Sequence, residues 1–138
     1  MAASKIVYSH STKISAEHFI DLLKRSTLDA RRPVHDKARI QSMIDYANII
    51  ITAWNDNTLV GVSRALSDFS FCCYLSDLAV DVAFQKQGIG KRLIEETHAV
   101  SSLNTKLVLL AAPAATEYYP RIGMERFPHC FVIREKNE

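Results

Sequence analysis

The stretch FQKQGIGKRL, residues 84–93, places two of the chain's four glycines, Gly88 and Gly90, within three positions. They stand where an apolar strand-like run passes into a helix-like segment. The first backbone N–H groups of a helix have no partner inside it, and the helix dipole adds positive charge there. Lys86 and Lys91 supply cations, and glycine permits a close approach. The pattern therefore predicts a site for an anion, a phosphate being the usual occupant.

Two familiar phosphate motifs do not fit this segment. A Walker A loop needs a glycine five residues before its Gly-Lys pair, and the chain has Gln85 there. A Rossmann fingerprint needs a glycine three residues after the second one, and the chain has Leu93 there. The structural alternative is that the glycine pair only permits a tight turn and close helix packing.

The composition indicates an ordinary globular protein of one domain, residues 1–138. Apolar residues make up 48% of the chain and charged residues 23%. The net charge of +2 is small, and 17 Lys and Arg are scattered among 15 acids, which argues against a nucleic-acid partner. No apolar run of about 18 residues exists, so no membrane span is expected. The N-terminal residues do not resemble a signal peptide, and we expect a cytoplasmic protein.

The three cysteines limit the redox and metal chemistry that the sequence predicts. Cys72, Cys73 and Cys130 are odd in number, two are adjacent, and no CxxC spacing occurs. A disulfide framework or a cysteine-based zinc site is therefore not expected, and we predict no metal. The sequence shows no base that would activate Cys72 or Cys73 as an acyl-accepting nucleophile.

The hydrophobic pattern predicts a mixed α/β order, β-α-α-β-β-β-α-β-α-β. The middle strands should be antiparallel, with one crossover helix before a further strand. The run KLVLLAA is continuous and apolar, which predicts a fully buried strand. The predicted strands cover residues 5–9, 48–54, 59–66, 71–82, 106–112 and 127–135, and the predicted helices cover 15–26, 36–46, 88–101 and 115–123.

The glycine turn and a second segment together resemble a known family. Gln85-Lys-Gln-Gly88-Ile-Gly90 is similar to the Q/R-x-x-G-x-G/A signature of the GNAT N-acetyltransferases. The preceding LSDLAVDVAFQ resembles the strand that comes before this signature. AATEYYPRIGM, residues 114–124, resembles the family's A-x-x-F/Y-Y-x-x-x-G-F/M segment. The resemblance implies a single-domain GNAT fold: a mixed central sheet with antiparallel N-terminal strands, splayed at the acyl-CoA site and flanked by helices.

The resemblance also implies an activity. It predicts acetyl transfer from acetyl-CoA to a small-molecule or peptide amine by direct attack in a ternary complex, with a homodimer as a possible assembly. A hydroxyl or protein side chain is a further acceptor class. The alternative, from another class of protein function, is a non-catalytic acyl-CoA-binding or regulatory module.

In the family, the amides of the turn bind the pyrophosphate of coenzyme A, and the preceding strand holds the pantetheine arm. A backbone N–H of that strand would stabilise the oxyanion that forms at the thioester carbonyl. Many members have an Asn before the last helix, where this chain has AAPAA at 111–115. The matching residues here are Gln85, Lys86, Gln87, Gly88, Ile89, Gly90 and Lys91 for the turn, and Leu78, Ala79, Val80 and Val82 for the strand.

Tyr119 matches the tyrosine that serves many members as the general acid. A phenol with a pKa near 10 stays protonated at neutral pH and can donate to a leaving thiolate. The structural alternative is that Tyr119 is a packing aromatic, as we expect its neighbour Tyr118 to be.

The general base is left open. Some members have a Glu where this chain has Ser76, so Asp77 is the best carboxylate on that strand, its alternative role being a structural hydrogen-bonded Asp. His35 and Asp36 in a loop and His129 near the end are weaker candidates. Deprotonation through water, with no dedicated base, is a further alternative.

We expect the acceptor pocket to be lined by the 29–36 loop, the second helix, Arg64 and Tyr74. Arg31, Arg32 and Arg64 would attract an acidic acceptor, or they are solvated surface arginines.

Overall fold

The computed structural model describes residues 5–136 and contains one five-stranded sheet with helices on both faces. The strands are β1 (Ile6–Ser9), β2 (Ile49–Asn55), β3 (Thr58–Ser67), β4 (Cys72–Val80) and β5 (Lys106–Leu109). The helices are α1 (Ala16–Arg25), α2 (Lys37–Asp45), α3 (Ile89–Ser101) and α4 (Tyr118–Arg121). Short 3₁₀ turns cover Leu28–Arg31, Val82–Phe84 and Pro113–Ala115.

The sheet has the order β1-β2-β3-β4-β5. The first four strands pair antiparallel, and β5 joins β4 in parallel through the crossover helix α3. One face packs on α3 through residues such as Leu75 and Leu93, and the other packs on α1 and α2 through residues such as Phe19 and Ile40. The predicted α/β class, with its mixed central sheet, is confirmed.

Local capping chemistry fixes the helix starts where the sequence predicts them. The Ser15 hydroxyl accepts a hydrogen bond from the His18 amide at 3.1 Å, so α1 begins at the next residue. The Asp36 carboxylate accepts one from the Arg39 amide at 3.1 Å and caps α2 in the same way. Gly88 caps α3 differently, through a left-handed backbone with φ of 82°.

A bulge and an early end of pairing open the sheet at β4. Arg64 pairs with Asp77 and the next residue, Ala65, pairs with Leu75, so Ser76 is an extra residue in β4. The β4–β5 ladder then ends at Leu75 and Leu109. Pairing of β4 with β3 nevertheless continues to Val80. The sheet is therefore splayed between the last residues of β4 and the chain that follows β5, as predicted.

Three predicted elements at the C-terminal end need correction. The strand predicted at 106–112 ends at Leu109 and is not fully buried, because β5 lies at the edge of the sheet. The helix predicted at 115–123 is only α4, preceded by a 3₁₀ turn. Residues 127–135 form no strand in the described structure, and Ile133 there is fully exposed. Strand propensity depends on packing against neighbouring strands, which the apolar pattern of a single segment does not supply.

Candidate functional site

The opening between β4 and the chain after β5 forms a cleft of about 510 Å³. One wall is the end of β4, and the opposite wall is the chain from Leu109 to Ala115 with Tyr119. The third wall is the loop between α1 and α2. The lining residues discussed below are Arg31, Arg32, Ser76, Leu78, Ala79, Val80, Gln85 and Tyr119.

The end of β4 gives this cleft an unpaired strand edge. Only Cys72–Leu75 of β4 pair with β5, so the polar backbone groups of Leu78–Val80 on that side face the cleft rather than a strand. Such an edge can hydrogen-bond an extended ligand as an added strand would. The Gln85 side-chain Nε2 donates to the Val80 carbonyl at 3.1 Å, which ties the following turn to the end of this edge.

The glycine turn leads from that edge into α3. Gly88 has φ of 82°, and a Cβ built there would meet nothing within 4 Å, so the space above the turn is open. Lys86 also has a positive φ, 63°. The first amides of α3 and a left-handed backbone together make a concave, positively polarised surface. Val82, predicted with this site, lies in the 3₁₀ turn, is 55% exposed and does not line the cleft.

Gly90 has a packing reason for being glycine. A Cβ at this position would lie 2.7 Å from the Tyr118 hydroxyl, closer than real contacts allow. The Lys91 backbone amide donates a hydrogen bond to the same hydroxyl. Tyr118 is partly exposed. Its contacts with Gly90 and Lys91 fix α4 to the first turn of α3. The sequence does not predict this contact, because residues in separate elements give no local signal of it.

Tyr119 reaches the cleft from α4. Its ring stands edge-on to that of Tyr118, with centroids 5.1 Å apart, and it packs against the core on the α3 side. Burial, and secondarily the nearby Tyr118, raise the pKa of Tyr119 above its ordinary value of 10.0. The phenol therefore holds its proton throughout the neutral range and is suited to donate it.

Asp77 lies behind the cleft wall with no exposed surface. Its two carboxylate oxygens accept hydrogen bonds from different arginines, Oδ1 from Arg32 Nε and Oδ2 from Arg64 Nε. Neither oxygen faces the cleft as a free acceptor. One signal was available in the sequence: Arg64 and Asp77 are the only charged residues of their strands, which is typical of a buried charge pair.

The other predicted base candidates lie away from the cleft lining. His35 is exposed and Asp36 caps α2. His129 is exposed and stacks edge-on with Phe127 at 6.2 Å. Tyr74, expected in the acceptor pocket, is 40% exposed and does not line the cleft. Among the described residues that do line it, none is Asp, Glu or His.

Residues 5–136 contain no cluster of three or more His, Cys, Asp or Glu side chains placed to hold a metal ion. Within the same range no helix has the length and apolar character that crossing a membrane requires.

Comparison with known proteins places this geometry in a family. Residues 21–130 match the family described as acetyltransferase (GNAT) domain. A segment of 74 residues is 35% identical to histone acetyltransferase TAP1 of Glycine max and covers 51% of this chain. The match covers 31% of that relative, so this chain corresponds to less than a third of its length.

Solved structures share the fold at low identity. A GNAT-family acetyltransferase, SP0256 from Streptococcus pneumoniae TIGR4, superposes with a TM-score of 0.73 at 19% identity, covering 97% of this chain and all of its own. The aminoglycoside N-acetyltransferase AAC(6')-Iy, solved in complex with CoA, gives a TM-score of 0.74 at 16% identity, covering 98% of this chain and 97% of its own. At such identities the similarity concerns the fold.

Proposed function

The chain belongs to the GNAT acetyltransferase family, and we propose that it transfers an acetyl group from acetyl-CoA to an acceptor amine. The observation that carries this proposal is the unpaired edge of Leu78–Val80, which runs into the open turn at Gly88. Tyr119 lies across the same cleft. A strand edge and a proton donor in one cleft, with an anion-binding turn that follows that edge in the chain, are what binding and cleaving an acyl thioester require.

The residues present fit acetyl-CoA. The amides at Gly88, Ile89, Gly90 and Lys91 would hold the pyrophosphate, with Gln85, Lys86 and Gln87 forming the approach to the turn. The Lys91 amide already donates to Tyr118, so this residue would contribute mainly through its side-chain charge. The backbone of Leu78, Ala79 and Val80 would hold the pantetheine arm. Residues 112–115, near the position of the absent Asn, also line the cleft, and their backbone would supply cofactor contacts in place of that side chain.

Bound acetyl-CoA would supply an activated acetyl thioester, and the chain's residues would stabilise the developing charge and move the proton. A backbone N–H at the end of β4 stabilises the negative charge that develops on the carbonyl oxygen. Tyr119, protonated because burial raises its pKa, donates its phenolic proton to the departing sulfur. The amine attacks directly, and the buried Cys73 takes no part.

We propose that the acceptor amine loses its proton to water. Asp77 is the best carboxylate candidate by sequence, but both of its oxygens already accept from arginines and its side chain has no exposed surface. The geometry supports a positioning role for Asp77 instead. Since no carboxylate or imidazole lines the described cleft, a water chain to solvent is the remaining route.

A cytoplasmic location stays a prediction from the sequence. A homodimer stays a prediction from the family resemblance, and light scattering tests it. The non-catalytic alternative has no observation in its favour, and turnover distinguishes it from the proposed enzyme.

The test is release of free coenzyme A thiol from acetyl-CoA in the presence of a panel of small amines and peptides with free N-termini. We expect amine-dependent release by the wild-type protein and recovery of the acetylated amine by mass spectrometry. Acetyl-CoA binding without acetylation of any amine would contradict the proposal in favour of the non-catalytic module. Absence of acetyl-CoA binding would contradict both.

A further inference from the structure

The charged cluster behind the cleft wall contains two arginines and one carboxylate. Asp77 on β4 accepts a hydrogen bond at each oxygen, from Arg32 on one side and from Arg64 on the other. A carboxylate without exposed surface is stable as an anion only when it is paired. Two cations and one anion leave the cluster with one positive charge in excess.

Arg64 is the partner that neutralises Asp77 inside the protein. It is 8% exposed and lies on β3, opposite Asp77 in the ladder. Its remaining nitrogens donate to the Met43 carbonyl at 3.1 Å and to the Ser76 hydroxyl at 3.0 Å. Arg64 does not line the cleft. The charge in excess therefore belongs to Arg32.

Arg32 carries that charge to the cleft surface. Its side chain is 20% exposed and lines the cleft beside Ser76 and Leu78. Its Nη2 donates to the Ser76 carbonyl at 2.7 Å and its Nη1 to the Arg31 carbonyl at 2.7 Å. These bonds and the one to Asp77 use three of the five guanidinium N–H groups, so the side chain is held rigidly while N–H groups are left for a ligand.

The charge of the cleft has one sign. Arg31 and Arg32 are its only ionisable side chains apart from the Tyr119 phenol, counting the described lining residues. A concave site with cations and no carboxylate raises the local concentration of anions and repels cations. A fixed guanidinium is well suited to bind a carboxylate or phosphate through paired hydrogen bonds.

We propose that Arg32, positioned by Asp77 and Arg64, binds an anionic group of the acceptor, so that the acceptor is an amine that also carries a carboxylate or a phosphate. This inference rests on the proposed acetyl transfer and narrows its substrate class. Polycationic amines are poor acceptors for the same electrostatic reason.

The test compares acceptors that differ only in the anionic group. Glycylglycine and glycylglycinamide share an amine and differ in the carboxylate, and O-phosphoethanolamine and ethanolamine differ in the phosphate. For the wild-type protein we expect kcat/KM to be at least tenfold higher for the acidic member of one pair. A tenfold difference corresponds to about 1.4 kcal/mol. The pair that shows the difference identifies the anionic group.

Arg32→Gln should remove this preference by raising KM for the acidic member much more than KM for the neutral member. Asp77 keeps Arg64 as its partner in this variant, so the fold should persist, and acetyl-CoA titration checks it. Arg39→Gln, the same substitution on the exposed side of α2, is the control and should behave as wild type.

Two results would overturn the inference. One is equal kcat/KM for both members of both pairs, or equal calorimetric binding to the CoA-loaded protein if no acceptor turns over. The other is an equal loss for acidic and neutral acceptors in Arg32→Gln. Failure of the proposed function itself gives different results: the absence of acetyl-CoA binding by the wild-type protein, or acetyl-CoA binding without acetylation of any amine.

Discussion

The Tyr118 hydroxyl lies 2.7 Å from the place that a Cβ on Gly90 would take, and it accepts a hydrogen bond from the amide of the next residue. This contact joins α4, which carries the proposed acid Tyr119, to the helix that begins at the glycine turn. The two halves of the proposed site are therefore positioned by one packing contact, and Gly90 is the residue that permits it.

Gly90→Ala should accordingly displace α4 from α3. Overpacking of this kind costs about 1–3 kcal/mol of stability. Turnover should fall as well, because Tyr119 moves with its neighbour. Thermal unfolding and coenzyme A thiol release measure the two effects.

The double variant Gly90→Ala/Tyr118→Phe should recover part of both losses. Without the hydroxyl, the nearest Tyr118 atom to the new Cβ is the ring carbon Cζ at 3.6 Å, which is an ordinary contact. Tyr118→Phe alone should cost about 1 kcal/mol, since it removes one hydrogen bond. Simple addition of the two single effects in the double variant would show that the contact does not limit packing.

Tyr119→Phe should lower kcat by about 10²–10⁴-fold, the usual contribution of a general acid. Acetyl-CoA affinity should stay within a few-fold of wild type, because the ring is retained. Because the pKa of Tyr119 is raised above 10.0, deprotonation of this phenol should not lower the wild-type kcat at any pH below 10. An unchanged kcat in Tyr119→Phe would contradict this role and would indicate that solvent protonates the departing thiolate.

The free energy of unfolding should fall as the pH rises above about 10. The folded protein raises the pKa of Tyr119, so the unfolded chain loses this proton at a lower pH than the folded protein does. Stability present below pH 10 is therefore lost as the pH rises through the folded pKa. Urea unfolding at stepped pH should give a shallower decline for Tyr119→Phe. The control Tyr46→Phe, at a side chain that is 81% exposed, should decline as wild type does.

Asp77→Asn should destabilise the protein strongly. Removing one partner of a buried charged cluster costs about 3–5 kcal/mol, since two arginines are then left without their anion. Asp77→Asn/Arg64→Met, which removes the buried cation as well, should recover part of the loss. A catalytic base would give the opposite pattern, with stability retained and kcat lost in Asp77→Asn at every pH.

Local chemistry explains which parts of the fold the sequence could predict. Ser15 and Asp36 cap helices through bonds to residues three positions away, so both helix starts can be read from short windows. The Gly88 turn follows from two glycines and their flanking residues. The predicted binding residues Leu78, Ala79, Val80 and Gln85 do line one cleft. Their roles in binding stay predictions.

Long-range packing explains what could not be predicted. Arg32 and Asp77 are 45 positions apart, and their contact depends on a bulge at Ser76 that no local pattern signals. The apolar alternation at 127–135 predicted a strand, but pairing requires a neighbouring edge, and the described residues there lie outside the sheet. Sequence alone also could not decide that Gly90 faces a tyrosine hydroxyl.

The measurement that tests the central claim most directly is calorimetric titration of acetyl-CoA into the wild-type protein, Gly88→Ala and Gly88→Glu. Both substitutions strain the backbone at φ of 82°, at a cost of about 1–2 kcal/mol, and both side chains point into open space. Only Glu adds a negative charge where the pyrophosphate would lie. We predict micromolar binding by wild type, binding within a few-fold of it for Gly88→Ala, and loss of binding for a folded Gly88→Glu. Equal affinities of the two variants, or no binding by wild type, would contradict the assignment of this turn to acetyl-CoA.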